Sequence, residues 1–159
     1  MSDLTALLPE LSLPPASFRT RTHQGKAEIY DDIRQKYVRL TPEEWVRQHF
    51  VRFLLDEKGT PRGLVAIEMG FRYQAMRRRA DVVVYDRMGH PMMMVECKAP
   101  EVDIRQAAFD QVAQYNTVVH ARYLVVTNGM VHYSCAIDHE GRDYRFLDTL
   151  PTYAAMLAA

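Results

Sequence analysis

Between Pro42 and Leu55 the apolar residues recur at steps of four. Val46, Phe50 and Leu54 form a stripe that Val51 and Leu55 widen, which is the spacing of one face of a helix. Thr41 and Pro42 supply its start, a hydroxyl N-cap followed by proline at the first helical position. Gly59 and Pro61 end it. Elsewhere the apolar residues run together in blocks of strand length: LVAIEM (Leu64 to Met69), ADVVVYD and PMMMVECK. The first two blocks are joined by an arginine-rich connection. After Pro100, Asp103 with Gln106 three residues later has the form of a capping box, predicting a second helix through about Asn116. Tyr123 to Val126 is a strand, and Asn128-Gly129 signals a hairpin turn into Met130 to Ile137. A short strand around Tyr144 to Leu147 then precedes Pro151 and a small C-terminal helix.

Upstream, AEIYDDIRQKYVRL predicts two short extended stretches around a polar turn. Residues 1 to about 26 hold Pro9, Pro14, Pro15 and Gly25 with little periodicity and are expected to form an arm or lead-in. The remaining 27–159 form one domain, with no repeat and no low-complexity segment. At 159 residues and 48% hydrophobic composition the chain has enough apolar material for one core.

Twenty Lys and Arg balance twenty Asp and Glu, so attraction to a polyanion has to come from local patches rather than net charge. Cys97 and Cys135 lie in no paired spacing that suggests a zinc site or a disulfide framework, and a reducing cytoplasm is the expected compartment. The N-terminal stretch contains Asp3 and Glu10, has no basic leader and is broken by prolines, so neither a signal peptide nor a membrane span is expected. Phosphate-binding GxxxxGK[ST], dinucleotide-binding GxGxxG and GxSxG motifs are missing, so no nucleotide cofactor is expected. The histidines at 23, 49, 90, 120, 132 and 139 show no metal-ligand spacing and are expected to be structural or surface residues.

The chemistry concentrates on the two strands flanking Asp86 to Pro91. A hairpin symmetric about Met88-Gly89 sets Asp81 opposite Glu96, with Cβ atoms roughly 5 Å apart. Alternation puts Lys98 on the same face and points Cys97 the other way. Two carboxylates so close repel unless a cation lies between them, and hard oxygen ligands suit Mg²⁺ or Mn²⁺ rather than zinc. The lysine beside them would position an attacking water and favour its deprotonated form. The competing explanation is a surface salt-bridge cluster at a sheet edge.

The stretch RRADVVVYDRMGHPMMMVECKAPEVDIRQAAFDQVAQYN, with upstream TPEEWVRQ and downstream YLVVTNG, resembles the N-terminal nuclease domain of type I restriction enzyme R subunits. The resemblance covers about residues 28 to 148 and implies the PD-(D/E)xK restriction-endonuclease-like fold: a single α/β (α+β) domain with a mixed central sheet flanked by helices. It implies metal-dependent hydrolysis of DNA phosphodiester bonds. Asp81 and Glu96 then match the metal ligands, together with the Cys97 carbonyl, and Lys98 matches the catalytic lysine.

Gln111 and Tyr115 match a QxxxY element found in some branches of the superfamily, and their i, i+4 spacing shares one helix face. They would contact DNA or steady the site, or else form the polar edge of a helix packed through Ala108, Val112 and Tyr115. Glu44 matches the acid that many members place on the first helix near the metal. Thr41-x-x-Glu44 is equally a capping box, in which that carboxylate turns back to its own helix end. Glu43 and Glu68 are reserve acids. Arg77, Arg78 and Arg79 just precede Asp81, where they would draw in a phosphate backbone or be a solvated charge run.

A type I R subunit couples its nuclease to an ATP-driven translocase, and this chain carries no such motor. Two functions are therefore expected of it: a Mg²⁺-dependent nuclease acting on DNA, or a module that keeps the fold but binds nucleic acid or a protein partner without cutting. A protein partner or a homodimer is compatible with either.

Overall fold

The computed structural model describes residues 8–138 and 143–159. Three strands, β1 (Thr20–His23), β2 (Lys26–Asp31) and β3 (Lys36–Arg39), form an antiparallel sheet ahead of the main body. The turn predicted inside AEIYDDIRQKYVRL separates β2 from β3. Strand β1 falls within the stretch expected to be an arm or lead-in, and it pairs with β2 from Thr20↔Ile29 to His23↔Lys26.

Helix α1 (Pro42–Asp56) begins as expected: Thr41 is extended, and its Oγ1 accepts from the Glu44 N–H at 3.0 Å. The fourfold stripe is the buried face, with Val46, Phe50 and Leu54 almost fully enclosed. Next come β4 (Val65–Tyr73), β5 (Met76–Tyr85) and β6 (Pro91–Cys97), then helix α2 (Gln106–Val119), β7 (Tyr123–Thr127), β8 (His132–Ile137), β9 (Tyr144–Leu147) and a short helix, α3 (Tyr153–Ala158). The six later strands make one sheet in the order β4-β5-β6-β7-β8-β9. Only β6 and β7, joined through α2, run parallel, and a parallel pair needs such a crossover. This is the mixed, helix-flanked sheet expected.

Apolar runs without alternation bury a strand on both faces, and VVVY and MMMV do so here. Val82, Val84, Met93, Val95 and Val125 join α1 in one core, whereas Val83, Met94, Leu124 and Val126 join Phe109 and Val112 of α2 in the other. Cys97 lies in the first core and Cys135 in the second, so the sheet separates two free thiols.

Three sequence expectations are corrected. The arginine-rich connection is strand: β4 and β5 extend into a long hairpin that turns at Gln74 and Ala75, both left-handed at φ 51 and 63, and Arg77, Arg78 and Arg79 pair with Arg72, Phe71 and Gly70. A run of polar arginines reads as loop because β pairing, not an apolar pattern, orders it. The Asp103/Gln106 capping box does not form; α2 starts at Gln106 with Arg105 at the N-cap and no side-chain cap, and it continues to Val119. Finally, the β5–β6 turn is centred on Met88. Asp86 N–H donates to the His90 carbonyl at 2.9 Å and Tyr85 pairs with Pro91, after which a bulge restores the predicted register at Val84↔Met93, Val83↔Met94 and Val82↔Val95.

The turn between β7 and β8 anchors the chain's beginning. Asn128 Oδ1 accepts from the Met130 and Val131 N–H groups at 2.9 Å each, while the Gly129 carbonyl accepts from Ser12 N–H at 2.8 Å. Gly129 is left-handed at φ +83, and a Cβ there would lie 2.8 Å from Leu11 Cδ2 and 3.1 Å from Val46 Cγ2. Gly129→Ala is therefore expected to lower unfolding stability by about 1–3 kcal/mol in urea titration. An unchanged midpoint would show that Leu11 does not pack against this turn.

Candidate active site

The restored register brings Asp81, midway along β5, and Glu96, near the end of β6, to the same face, one step beyond the Val82↔Val95 pair. Asp81 Oδ2 accepts from the Cys97 backbone N–H at 2.7 Å, and Lys98 Nζ lies 3.4 Å from Glu96 Oε1. The side chains of Asp81, Glu96 and Lys98 keep 16%, 24% and 30% of their exposure, so all three reach solvent without standing in it. Burial, reinforced by the neighbouring Asp81 charge, pushes the Glu96 carboxyl up to about 7 against the pull of Lys98. Burial also raises Asp81, although the Cys97 N–H, Arg47 and Lys98 oppose it. Two carboxyls so placed disfavour being ionised together. The Cys97 side chain turns into the α1 core, where burial drives its thiol well above the usual range and leaves it unreactive.

The start of α1 supplies the next layer. Arg47, itself buried, sets Nη1 3.7 Å from Asp81 Oδ1 while its Nε donates to Glu44 Oε2 at 3.0 Å. The Glu44 carboxylate also accepts from Arg34 Nη2 and Gln48 Nε2, each at 3.0 Å. Burial alone would raise its pKa, but the Arg47 hydrogen bond with the Arg47 and Arg34 charges outweighs burial and holds it below the usual carboxylate range. Glu44 thus has its carboxylate engaged by side chains rather than turned back to its own helix end. Its amide is capped by Thr41, its carboxylate is engaged by Arg34, Arg47 and Gln48, and it reaches the acid pair only through Arg47.

Glu43, one residue earlier, carries the direct relation: burial and then the Asp81 charge raise its carboxyl, with Arg47 and Lys98 pulling the other way. Spacing alone does not separate the two acids, since Glu43 lies at i, i+4 and Glu44 at i, i+3 from Arg47, and it is Glu44 that pairs with it. Glu68 lies across the β4–β5 ladder between the Ile67↔Val82 and Met69↔Ala80 pairs, in a left-handed conformation at φ 55. Its carboxylate lies 3.5 Å from Arg34, 3.6 Å from Arg47 and 3.4 Å from Arg79. Among the described residues, no three His, Cys, Asp or Glu side chains form a group that could hold a metal ion by themselves.

On the α2 side, Glu96 opens into a groove of about 770 Å³ lined also by Arg72, Arg77, Arg78, Arg79, Gln111 and Tyr115. The structure therefore brings the QxxxY pair and the arginine triplet together with one member of the acid pair. Tyr115 packs edge-on against Phe71 and Tyr73, with centroids 5.5 and 5.3 Å away, and the Arg78 guanidinium lies 5.9 Å from its ring. Gln111 is exposed. Arg78 Nε is buried without a hydrogen-bond partner, a donor left over in a groove that ends at the acids. His49 contacts the Trp45 carbonyl, His90 contacts Asp86, and His132 bridges Thr127 to the Ser12 carbonyl. His139 lies outside the described residues.

The arrangement resembles known proteins in sequence and in fold. Residues 42–151 match the family described as the type I restriction enzyme R protein N terminus. No curated protein matches the chain. Among solved structures, a fragment of a putative HsdR subunit of a type I restriction enzyme from Vibrio vulnificus YJ016 aligns at 20% identity and a TM-score of 0.55, covering 75% of this chain and 25% of that one. This chain thus spans about a quarter of that fragment's length, and the similarity is one of fold. The family match takes in α1, the acid pair, Lys98 and α2, and covers more than half of the sequence: the chain belongs to the type I restriction enzyme R protein N-terminus family.

Proposed function

We propose that the chain is a metal-dependent nuclease that hydrolyses phosphodiester bonds of DNA. The observation that carries this reading is the Asp81–Glu96 pair, raised in pKa and set beside Lys98 at the end of an arginine-lined groove. The donor set fits a hard divalent cation, Mg²⁺ or Mn²⁺: two carboxylates that cannot both ionise comfortably without one, and the Cys97 carbonyl, a third oxygen on the same strand end. Such an ion would withdraw charge from the scissile phosphate and acidify water.

The protein's own groups do the rest. Asp81 and Glu96 would hold the ion, with Glu43 as a further acid in their field. Arg47 orients the Asp81 carboxylate from the opposite side. Lys98 orients the attacking water and favours its deprotonated form. Arg78, with its unpartnered Nε, donates to a phosphate oxygen, while Arg77, Arg79 and the Gln111/Tyr115 face guide the backbone toward Glu96. Two free cysteines on opposite sides of the sheet suit a reducing cytoplasm. No helix among the described residues is long and apolar enough to cross a membrane.

A second reading, a module that binds DNA or a protein partner without cutting, is favoured by one contact: Asp81 is already engaged by the Cys97 N–H. Turnover decides between them. With Mg²⁺ or Mn²⁺ present, the wild type should nick single-stranded, duplex or branched DNA. Asp81→Asn and Lys98→Ala should each lose more than about 100-fold in rate while keeping the same unfolding midpoint. Cleavage that survives both substitutions sinks the assignment.

The two α1 acids separate by a different test. Glu44→Gln removes the buried carboxylate that Arg34 and Arg47 share and is expected to cost about 3 kcal/mol of stability. Glu43→Gln should leave stability within about 0.5 kcal/mol and reduce turnover about tenfold or more. The reverse pattern, a stable Glu44→Gln with lost turnover, would return the role to Glu44.

The proton held by the pair gives a pH dependence. The folded-state pKa of Glu96 lies above its unfolded value, so its contribution to stability is complete below about pH 4.5 and is lost as the pH rises through about 7. In EDTA, wild-type stability should fall relative to Glu96→Gln by on the order of 2 kcal/mol across that window, and Mg²⁺ should restore it. Parallel pH profiles for the two proteins would show that the pair does not share a proton.

A further inference from the structure

The three-stranded sheet lies upstream of the residues matched to the family, and nothing in the proposed reaction uses its outer face. Its inner face sends Ile29 and Val38 into the core with α1. Alternation turns the opposite side chains outward. These include Arg19 and Arg21 at β1, Lys26 and Tyr30 on β2, and Tyr37 and Arg39 on β3, set by the register Arg21↔Glu28↔Arg39 and Tyr30↔Tyr37. All four cations are exposed, and Glu28 is the one acid on that face among the described residues. In a chain of zero net charge this face is locally cationic by placement, which is the footprint of a polyanion site.

The aromatic residues narrow the polyanion to one with flat bases. The Arg19 guanidinium lies 3.9 Å from the centre of the Tyr30 ring, and Arg21 lies 3.9 Å from that of Tyr37, while the two rings meet edge to face at 5.2 Å. Each guanidinium is therefore backed by a ring and loses little freedom when a second flat group stacks on it. Unpaired nucleobases stack on such planes while the N–H groups reach neighbouring phosphates. A three-stranded face is too broad for the major groove of B-DNA, which admits a helix or a two-stranded ribbon.

We propose that the outer face of β1-β2-β3 binds a single-stranded segment of DNA through Arg19 and Arg21 stacked on Tyr30 and Tyr37. The proposal rests on DNA being the substrate of the acid pair. It also connects to that pair physically: Arg34, in the β2–β3 turn, pairs with Glu44 and Glu68, and both of those contact Arg47 beside Asp81. A strand held on this sheet is held on an element fastened to the catalytic end.

The test is fluorescence anisotropy of a labelled oligothymidylate with the full chain in EDTA, repeated over a range of salt. The wild type should bind it more tightly than a duplex of equal length. Arg19→Ala with Arg21→Ala should weaken binding about tenfold and lower the slope of log affinity against log salt by roughly 0.7 for each phosphate no longer neutralised. Arg19→Lys with Arg21→Lys should keep the slope but not the full affinity, because the ammonium does not stack. Arg87→Ala, which removes a charge from the β5–β6 turn, should leave the affinity unchanged. Both arginines are exposed, so matched unfolding midpoints are expected throughout. Unchanged affinity in the alanine pair, equal binding of the duplex, or tighter binding of an RNA oligomer would each overturn the proposal. Because binding is read without metal, it fails separately from the nuclease: binding through Arg19 and Arg21 with no cleavage removes only the nuclease, whereas cleavage with unaltered binding in the alanine pair removes only this face.

Discussion

Two carboxylates on adjacent strands, each next to an apolar run buried on both faces, are the constraint around which the rest of this molecule is arranged. Asp81 and Glu96 continue the apolar runs of β5 and β6, where the neighbouring positions are almost fully enclosed. Taking either charge out of water is costly, and their mutual repulsion adds to the cost. The chain offsets this from three directions: a backbone N–H at Asp81, an ammonium at Glu96, and the Arg47 guanidinium arriving from α1. What is left over emerges as the raised Glu96 carboxyl, and it is the part a divalent cation would relieve.

Arg47 can serve only because it is itself held. It contacts Glu44, Glu68 and Asp81, while Arg34 contacts Asp31, Glu44 and Glu68, so the two guanidiniums and four carboxylates form one network that joins the β2–β3 turn, α1, β4 and β5. Buried ion pairs contribute little net stability compared with apolar packing, yet they specify geometry tightly. The left-handed Glu68 belongs to the same trade. A non-glycine residue at φ 55 inside a strand costs on the order of 1–2 kcal/mol, and what accompanies that strain here is a carboxylate within reach of Arg34, Arg47 and Arg79.

How much of this is legible in the sequence depends on the range of the interaction. Helix α1 can be located from Thr41-Pro42 and a stripe at steps of four because capping and amphipathicity are local. The Asp81/Glu96 register is legible because alternation propagates from a turn, although the turn centres on Met88 rather than between Met88 and Gly89 and a bulge makes up the difference. The roles of Glu43 and Glu44 are not legible: which of two adjacent acids faces the site depends on Arg34, ten positions before Glu44 and beside a different sheet. Likewise β1 reads as an arm because a four-residue strand with no buried block leaves no periodic signal, and its order comes from pairing with β2.

Net neutrality would ordinarily weigh against a polyanion substrate, and here the fold removes that objection. Four carboxylates, Asp31, Glu44, Glu68 and Asp81, are drawn into the network around Arg34 and Arg47, where the two guanidiniums offset them. That leaves Arg72, Arg77 and Arg78 without acid partners among the described ion pairs on the groove leading to Glu96. It also leaves three uncompensated positive charges on the outer face of β1-β2-β3, where Glu28 offsets one of four cations. Attraction of this kind acts over roughly a Debye length, about 8 Å at physiological salt, so a phosphate backbone responds to these local arrays and not to the sum over the chain. Charge balance in the composition and cationic surfaces in the fold are therefore consistent, because charge is unevenly distributed: the groove beside Glu96 and the outer face of β1-β2-β3 each hold more cations than acids.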